Sequence, residues 1–185
     1  MLYALQADIP GPHHRTYAWC SSLSDKRYMC RRLPDGREEL VGFPMTPRAR
    51  FEGGRTWPDV SANGGGVPKL LFSQAAIDIL RHYDPKANVS EPAEVTYEAN
   101  KSLIKKGPPV YRTFIPRTIV PRQMLAPDAD RPAIFACSDY LFLLGCNEYV
   151  KMHFEKARLR NVQFTPFFEK LAIFDEMNGR DNRRK

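Results

Sequence analysis

Eight prolines fall between residues 84 and 132, at 85, 92, 108, 109, 116, 121, 127 and 132, and no other feature limits the possible folds as much. Proline lacks a backbone N–H and its ring clashes with the preceding helical turn, so no long helix fits in that stretch. The residue before each proline is pushed towards extended backbone. Extended segments with bends are therefore expected, with VTYEA (95–99) and VYRTFI (110–115) as strands, because β-branched and aromatic residues suit a pleated surface.

Helical periodicity flanks this region. In VPKLLFSQAAIDILRHYDP, Ser73 is placed to cap a helix over 73–83, and Phe72, Ala76, Ile79, Leu80 and Tyr83 recur at helical spacing until Pro85 stops it. In CNEYVKMHFEKARLRNVQFTPF, Asn147 is placed as the cap of a second helix, over 147–160, with Glu148 at its positive end and Lys156, Arg158 and Arg160 at its negative end. Val150, Phe154 and Ala157 are expected to face inward. Asn161 suits a left-handed cap, leading to a strand with Val162 and Phe164 on one side.

The rest reads as strand. MLYALQA opens the chain, and RYMCRRL and EELVGF flank a hairpin-type turn at Pro34-Asp35-Gly36. Gly53-Gly54 and the loop Asn63-Gly64-Gly65-Gly66 break regular structure, and AIFACSDYLFLLG reads as a buried strand or strand pair interrupted by Asp139. The expected fold class is α+β: a single domain over residues 1–178, with a mixed or antiparallel sheet and at least two helices. The basic end, 179–185, reads as a disordered tail. No run reaches the roughly twenty apolar residues of a membrane span, and the opening residues lack the pattern of a secretory signal, so a cytoplasmic protein with no membrane partner is expected.

Chemistry-bearing patterns are sparse. Cys20, Cys30, Cys137 and Cys146 are spaced neither as a disulfide framework nor as a CxxC metal pair, and read as buried thiols. His13 and His14 with Cys20 and Cys30 supply zinc-type donors without the paired spacing that makes ligands converge, so no metal site is assigned. The glycine run before Lys69 lacks the GxxxxGK[ST] spacing of a phosphate loop, and no cofactor is expected. His82 and His153 lie on the two expected helices, where a pair could share a cleft with Asp78 or Glu155. Single helical histidines are more often structural or solvated, and a non-enzymatic role is expected.

The net charge of +7 favours an acidic partner, and one stretch concentrates it. Lys101, Lys105, Lys106, Arg112, Arg117 and Arg122 occur with no Asp or Glu between residues 101 and 123, interleaved with Tyr111 and Phe114. These eight residues read as a partner-binding surface. The pattern fits nucleic-acid backbone with base stacking, an acidic protein face, or a solvated edge whose lysines discourage aggregation.

SDYLFLLGCNEYVKMHFEKARLRNVQFTPF resembles the terminal signature of a bacterial immunity-protein family of polymorphic toxin systems, first catalogued as a domain of unknown function. In that family an apolar segment containing Asp leads to a helix, a short turn and a strand of the pattern gv-x-Phe-x-pro, matched by Asn161-Val162-Gln163-Phe164-Thr165-Pro166. GGRTWPDVSANGGGVPKLLFSQAAIDIL is similar to the family's middle, and the likeness spans about residues 50 to 170. The resemblance implies a cytoplasmic, antitoxin-like protein that binds a cognate toxin and neutralises it by steric occlusion, without catalytic residues. The alternative is a nucleic-acid-binding module using residues 101–122.

Overall fold

The computed structural model describes residues 1–7, 16–24, 30–32, 34, 38–40, 46–62, 70–97, 101–125 and 132–177. In chain order the elements begin with strands β1 (Leu2–Ala7), β2 (Trp19–Ser24), β3 (Cys30–Arg32), β4 (Glu38–Leu40), β5 (Arg48–Glu52), β6 (Val60–Ala62) and β7 (Leu70–Ser73). Helix α1 (Gln74–Tyr83), β8 (Asn88–Val89), β9 (Glu94–Tyr97), α2 (Lys101–Lys106), β10 (Tyr111–Ile115) and β11 (Ile119–Val120) follow. The last elements are β12 (Ile134–Cys137), β13 (Tyr140–Asn147), α3 (Glu148–Lys156), β14 (Val162–Pro166) and α4 (Phe167–Met177). The fold is α+β, as expected.

The central sheet has the order β11-β12-β13-β1-β14, antiparallel except for the β11–β12 pair. Side chains of a strand alternate between faces, and both faces of this sheet are covered. Leu5, Ala7, Ile134, Ala136, Leu144 and Cys146 pack with Ala76, Ile77, Ile79 and Leu80 of α1 and Val150 and Phe154 of α3. Ala4, Phe135, Cys137, Tyr140 and Leu143 point the other way, onto Phe167, Leu171 and Phe174 of α4. Gly145 lies beneath the Phe135 ring, where a Cβ would stand 2.2 Å from a ring carbon, so only glycine leaves room for that aromatic.

A second sheet, β6-β7-β10-β8, shares the first core through Val60, Leu70, Phe72 and Phe114. Its Leu71 and Tyr111 enter a third cluster with Ala18, Cys20, Ala49, Phe51, Trp57 and Leu103, built on the sheet β2-β5-β9 and on α2. Strands β3 and β4 pair antiparallel, from Cys30 opposite Leu40 to Arg32 opposite Glu38, and of the turn expected between them Asp35 and Gly36 lie outside the described residues.

Local signals set the helix ends. Ser73 accepts the Ala76 N–H and Asn147 Oδ1 accepts the Val150 N–H, so both expected N-caps are in place. Helix α3 stops at Lys156, earlier than expected, in a Schellman closure: the Arg158 N–H donates to Glu155 O at 3.0 Å and the Leu159 N–H to Phe154 O at 3.3 Å. The left-handed residue of this closure is Arg158, at φ 52°, instead of Asn161. Asn161 is also left-handed, at φ 61°, but it opens β14 and donates from Nδ2 to Val60 O at 2.7 Å. Ala157, expected to face inward, is exposed because the helix has ended.

Several elements were not expected from the sequence, among them β8, β11 and a 3-10 turn at Arg122–Met124. The run Leu70–Ser73 is a strand of its own before α1, residues 101–106 of the basic stretch coil into α2, and the segment after Pro166 forms α4. The Asn63–Gly66 loop and the tail after residue 178 lie outside the described residues. Among the described residues no helix is long and apolar enough to cross a membrane.

Candidate partner-binding face

Among the described residues, buried charge is committed to joining elements. Asp59, 7% exposed, accepts from Ser73 Oγ at 2.9 Å, from the Arg160 N–H at 2.8 Å and from Arg160 Nε at 3.0 Å, while its own N–H donates to Arg160 O. One carboxylate thereby ties the segment before β6 to the cap of α1 and to the turn between α3 and β14. Hydrogen bonding to Asp59 raises the pKa of Arg160. Tyr111 completes this corner by donating to Pro58 O at 2.6 Å, and burial drives its phenol far above the usual range.

A second group joins α4 to the rest. Arg122 meets Asp175 through both carboxylate oxygens, and Tyr140 donates to Asp175 Oδ1 at 3.0 Å. Hydrogen bonding to Asp175 raises the Arg122 pKa. At the start of α3, Tyr3 donates to Glu148 at 2.5 Å, which lowers the Glu148 pKa, and Lys151 stands 4.3 Å from the centre of the Tyr3 ring. Cys20, Cys137 and Cys146 are buried, and burial pushes the Cys137 thiol up to about 11 and the Cys146 thiol up to about 12. Both are protonated, poor nucleophiles near neutrality.

The expected basic surface is dispersed by this architecture. Tyr111 is fully buried, stacked on Phe51 with ring centres 5.0 Å apart, and Phe114 packs edge-on to Phe72 in the first core. Neither can anchor a partner or stack on a base, because β10 is an inner strand with both faces covered. Arg112 is half-buried, donating to Gln74 Oε1 at 3.1 Å and to Ser90 O at 2.6 Å, and Arg122 is held by Asp175. Lys105 and Lys106 are exposed on α2 and Arg117 beyond β10; the side chain of Lys101 lies outside what the structure describes.

The two helical histidines do come together. His82 lies in the last turn of α1, His153 lies in α3, and their ring centres are 5.9 Å apart. Tyr83 packs beside both, 5.0 Å from His82 and 5.9 Å from His153, and its hydroxyl donates to Tyr149 O at 3.2 Å. Outside this ring cluster α3 turns two large side chains to solvent: Tyr149 is 71% exposed and Met152 56%. Arg81 and Lys156 are exposed near the same helix ends. The other side of α3 borders a hollow of about 250 Å³ lined by Lys151, Phe154, Glu155, Leu159, Val162 and Phe164.

Tyr and Met are residue types enriched where proteins meet, and here both stand exposed on the helix that carries His153. A comparison with models of known protein families finds none that matches this chain, and no curated protein matches it either. The two-helix face is therefore argued from its own residues. Sequence reasoning missed Tyr149 and Met152, although a signal existed: once Val150 and Phe154 are assigned inward, residues 149, 152, 153 and 156 form the opposite stripe, and two of them are large and weakly polar.

Proposed function

We propose that this chain is an immunity-type protein that acts in the cytoplasm, binding a cognate effector toxin and neutralising it by steric occlusion, without chemistry of its own. The observation that carries the reading is the exposure of Tyr149 and Met152 on α3, beside the His82–Tyr83–His153 cluster. A residue of either type left largely in water gains about 1.5–3 kcal/mol when a partner covers it, so such a surface favours association. The resemblance of residues 50 to 170 to the immunity family supports the same reading. Lys156 on α3, with Arg81, Lys105, Lys106 and Arg117 elsewhere, favours a toxin with an acidic surface and faster encounter at low salt.

The test is protection from toxicity. Proteins encoded beside this one are expressed singly to find one that arrests growth, and the chain is then co-expressed with it. The expected result is rescue of growth by the unaltered chain and loss of rescue by the doubly substituted Tyr149→Ala, Met152→Ala chain, whose melting temperature stays unchanged. Equal rescue by both chains would remove the α3 face. Absence of any toxic neighbour, together with salt-dependent binding of DNA or RNA, would move the function to the nucleic-acid alternative.

A further inference from the structure

Imidazole nitrogens are the commonest protein ligands for transition-metal ions, and two of them converge here from separate helices. With metal–nitrogen bonds of about 2.0–2.1 Å, two imidazoles on one ion have ring centres roughly 4.5 to 6.5 Å apart, depending on the angle at the metal. The His82 and His153 centres are 5.9 Å apart with their planes at 81°, a separation within that range. His82 is exposed and His153 half-buried, which leaves a path for the ion.

The helices that carry the pair are fixed. Ile79 and Leu80 precede His82, Phe154 follows His153, and all three are packed in the same core. The Tyr83 hydroxyl, held on Tyr149 O, fastens the end of α1 to α3 at the point where the imidazoles meet. Such support keeps ligands in place before the ion arrives and raises affinity. Asp78, one turn before His82, has its Oδ1 occupied by the Gln74 amide at 2.8 Å, and no third His, Cys, Asp or Glu joins the pair among the described residues.

We propose that His82 and His153 form a two-imidazole site for a divalent transition-metal ion of the zinc and copper class, with its remaining coordination positions open to water. Imidazole suits these ions, and a site with open positions exchanges its ion readily, unlike a closed structural centre. The site shares the face assigned above to a toxin but does not depend on that assignment, since its test needs no partner.

Zinc chloride titrated into the full chain by calorimetry provides the test, repeated with His82→Ala, with His153→Ala and with the double variant His13→Ala, His14→Ala. The expected result is a binding event weakened at least about tenfold in each of the first two variants and unchanged in the third, with zinc raising the melting temperature of the unaltered chain and of the third variant but not of the first two. In an NMR titration of the unaltered chain the ring signals of His82 and His153 shift together at the same zinc ratio, a readout that does not rely on any variant's stability. Undiminished binding in either single variant, or ring signals that do not move together, would overturn the assignment.

Discussion

Replacing Asp59 with alanine tests whether this carboxylate is a structural hub or half of a surface ion pair. Three donors converge on it: the Ser73 hydroxyl, the Arg160 backbone N–H and Arg160 Nε. The Arg160 side chain is 45% exposed and can be rehydrated when its partner is removed, so the ion pair itself contributes no more than about 1 kcal/mol. The Ser73 hydroxyl is buried and the Arg160 N–H half-buried, and at about 1.5 kcal/mol for each bond to a charged acceptor they bring a further 3 kcal/mol or so. Asp59→Ala should therefore cost about 3–4 kcal/mol and Arg160→Ala about 1 kcal/mol or less. For a chain of this size 1 kcal/mol corresponds to roughly 2–4 °C, so Asp59→Ala should melt about 6–16 °C lower and Arg160→Ala at most about 4 °C lower. Circular dichroism melts and urea titrations of both variants and of the double variant measure these terms. Equal losses in the two single variants would refute the hub, since the uncharged donors would then contribute nothing.

Gly145→Ala should destabilise by about 1–3 kcal/mol in the same melts, because the new methyl lands on the Phe135 ring, which packs against Phe167 and has little room to retreat. Arg158→Gly should raise stability by about 0.5–1 kcal/mol, since the left-handed position closing α3 suits glycine and the Arg158 side chain is exposed. Stability should fall in the alkaline range: the Cys137 and Cys146 thiols titrate near the ordinary thiol value of 9.0 when unfolded but at about 11 and about 12 when folded. Their contribution is intact below pH 9 and is lost as pH rises from there through 11 and 12, because the unfolded chain releases those protons first. Urea midpoints from pH 8 to 11 report that slope, and a thiol reagent at pH 8 should leave Cys20, Cys137 and Cys146 unmodified until the chain is unfolded.

What the sequence made legible was local. Ser73 and Asn147 announce helix starts because a cap is decided within three residues, and Asp139 marks the turn between β12 and β13. The break at Gly53-Gly54 was equally local: both residues are left-handed, and at Gly54 a Cβ would stand 2.0 Å from the Ala18 backbone. The errors arose where neighbours in space decide. Tyr111 and Phe114 look like surface aromatics among basic residues, and only the pairing of β10 with β7 on one side and β8 on the other buries them. Arg122 looks unpaired until α4 brings Asp175 to it from far along the chain. The histidine pair shows the same division: each helix was readable, but their packing, which creates the 5.9 Å approach, was not.

Strand β1 lies between β13 and β14, with Leu5 opposite Leu144 on one side and Phe164 on the other. Its hydrogen-bonding partners are thus encoded some 140 residues later, as the Tyr3–Glu148 bond, 145 positions apart, illustrates. At about 5–20 residues per second of synthesis, β1 leaves the ribosome roughly 7–30 s before either neighbour exists. Closing so long a loop is also slow once synthesis is complete. Newly made chains therefore pass through a period in which Leu5 and the apolar residues of β12 and β13 have no finished sheet to enter, and expression at lower temperature or with chaperones in excess should raise the soluble yield.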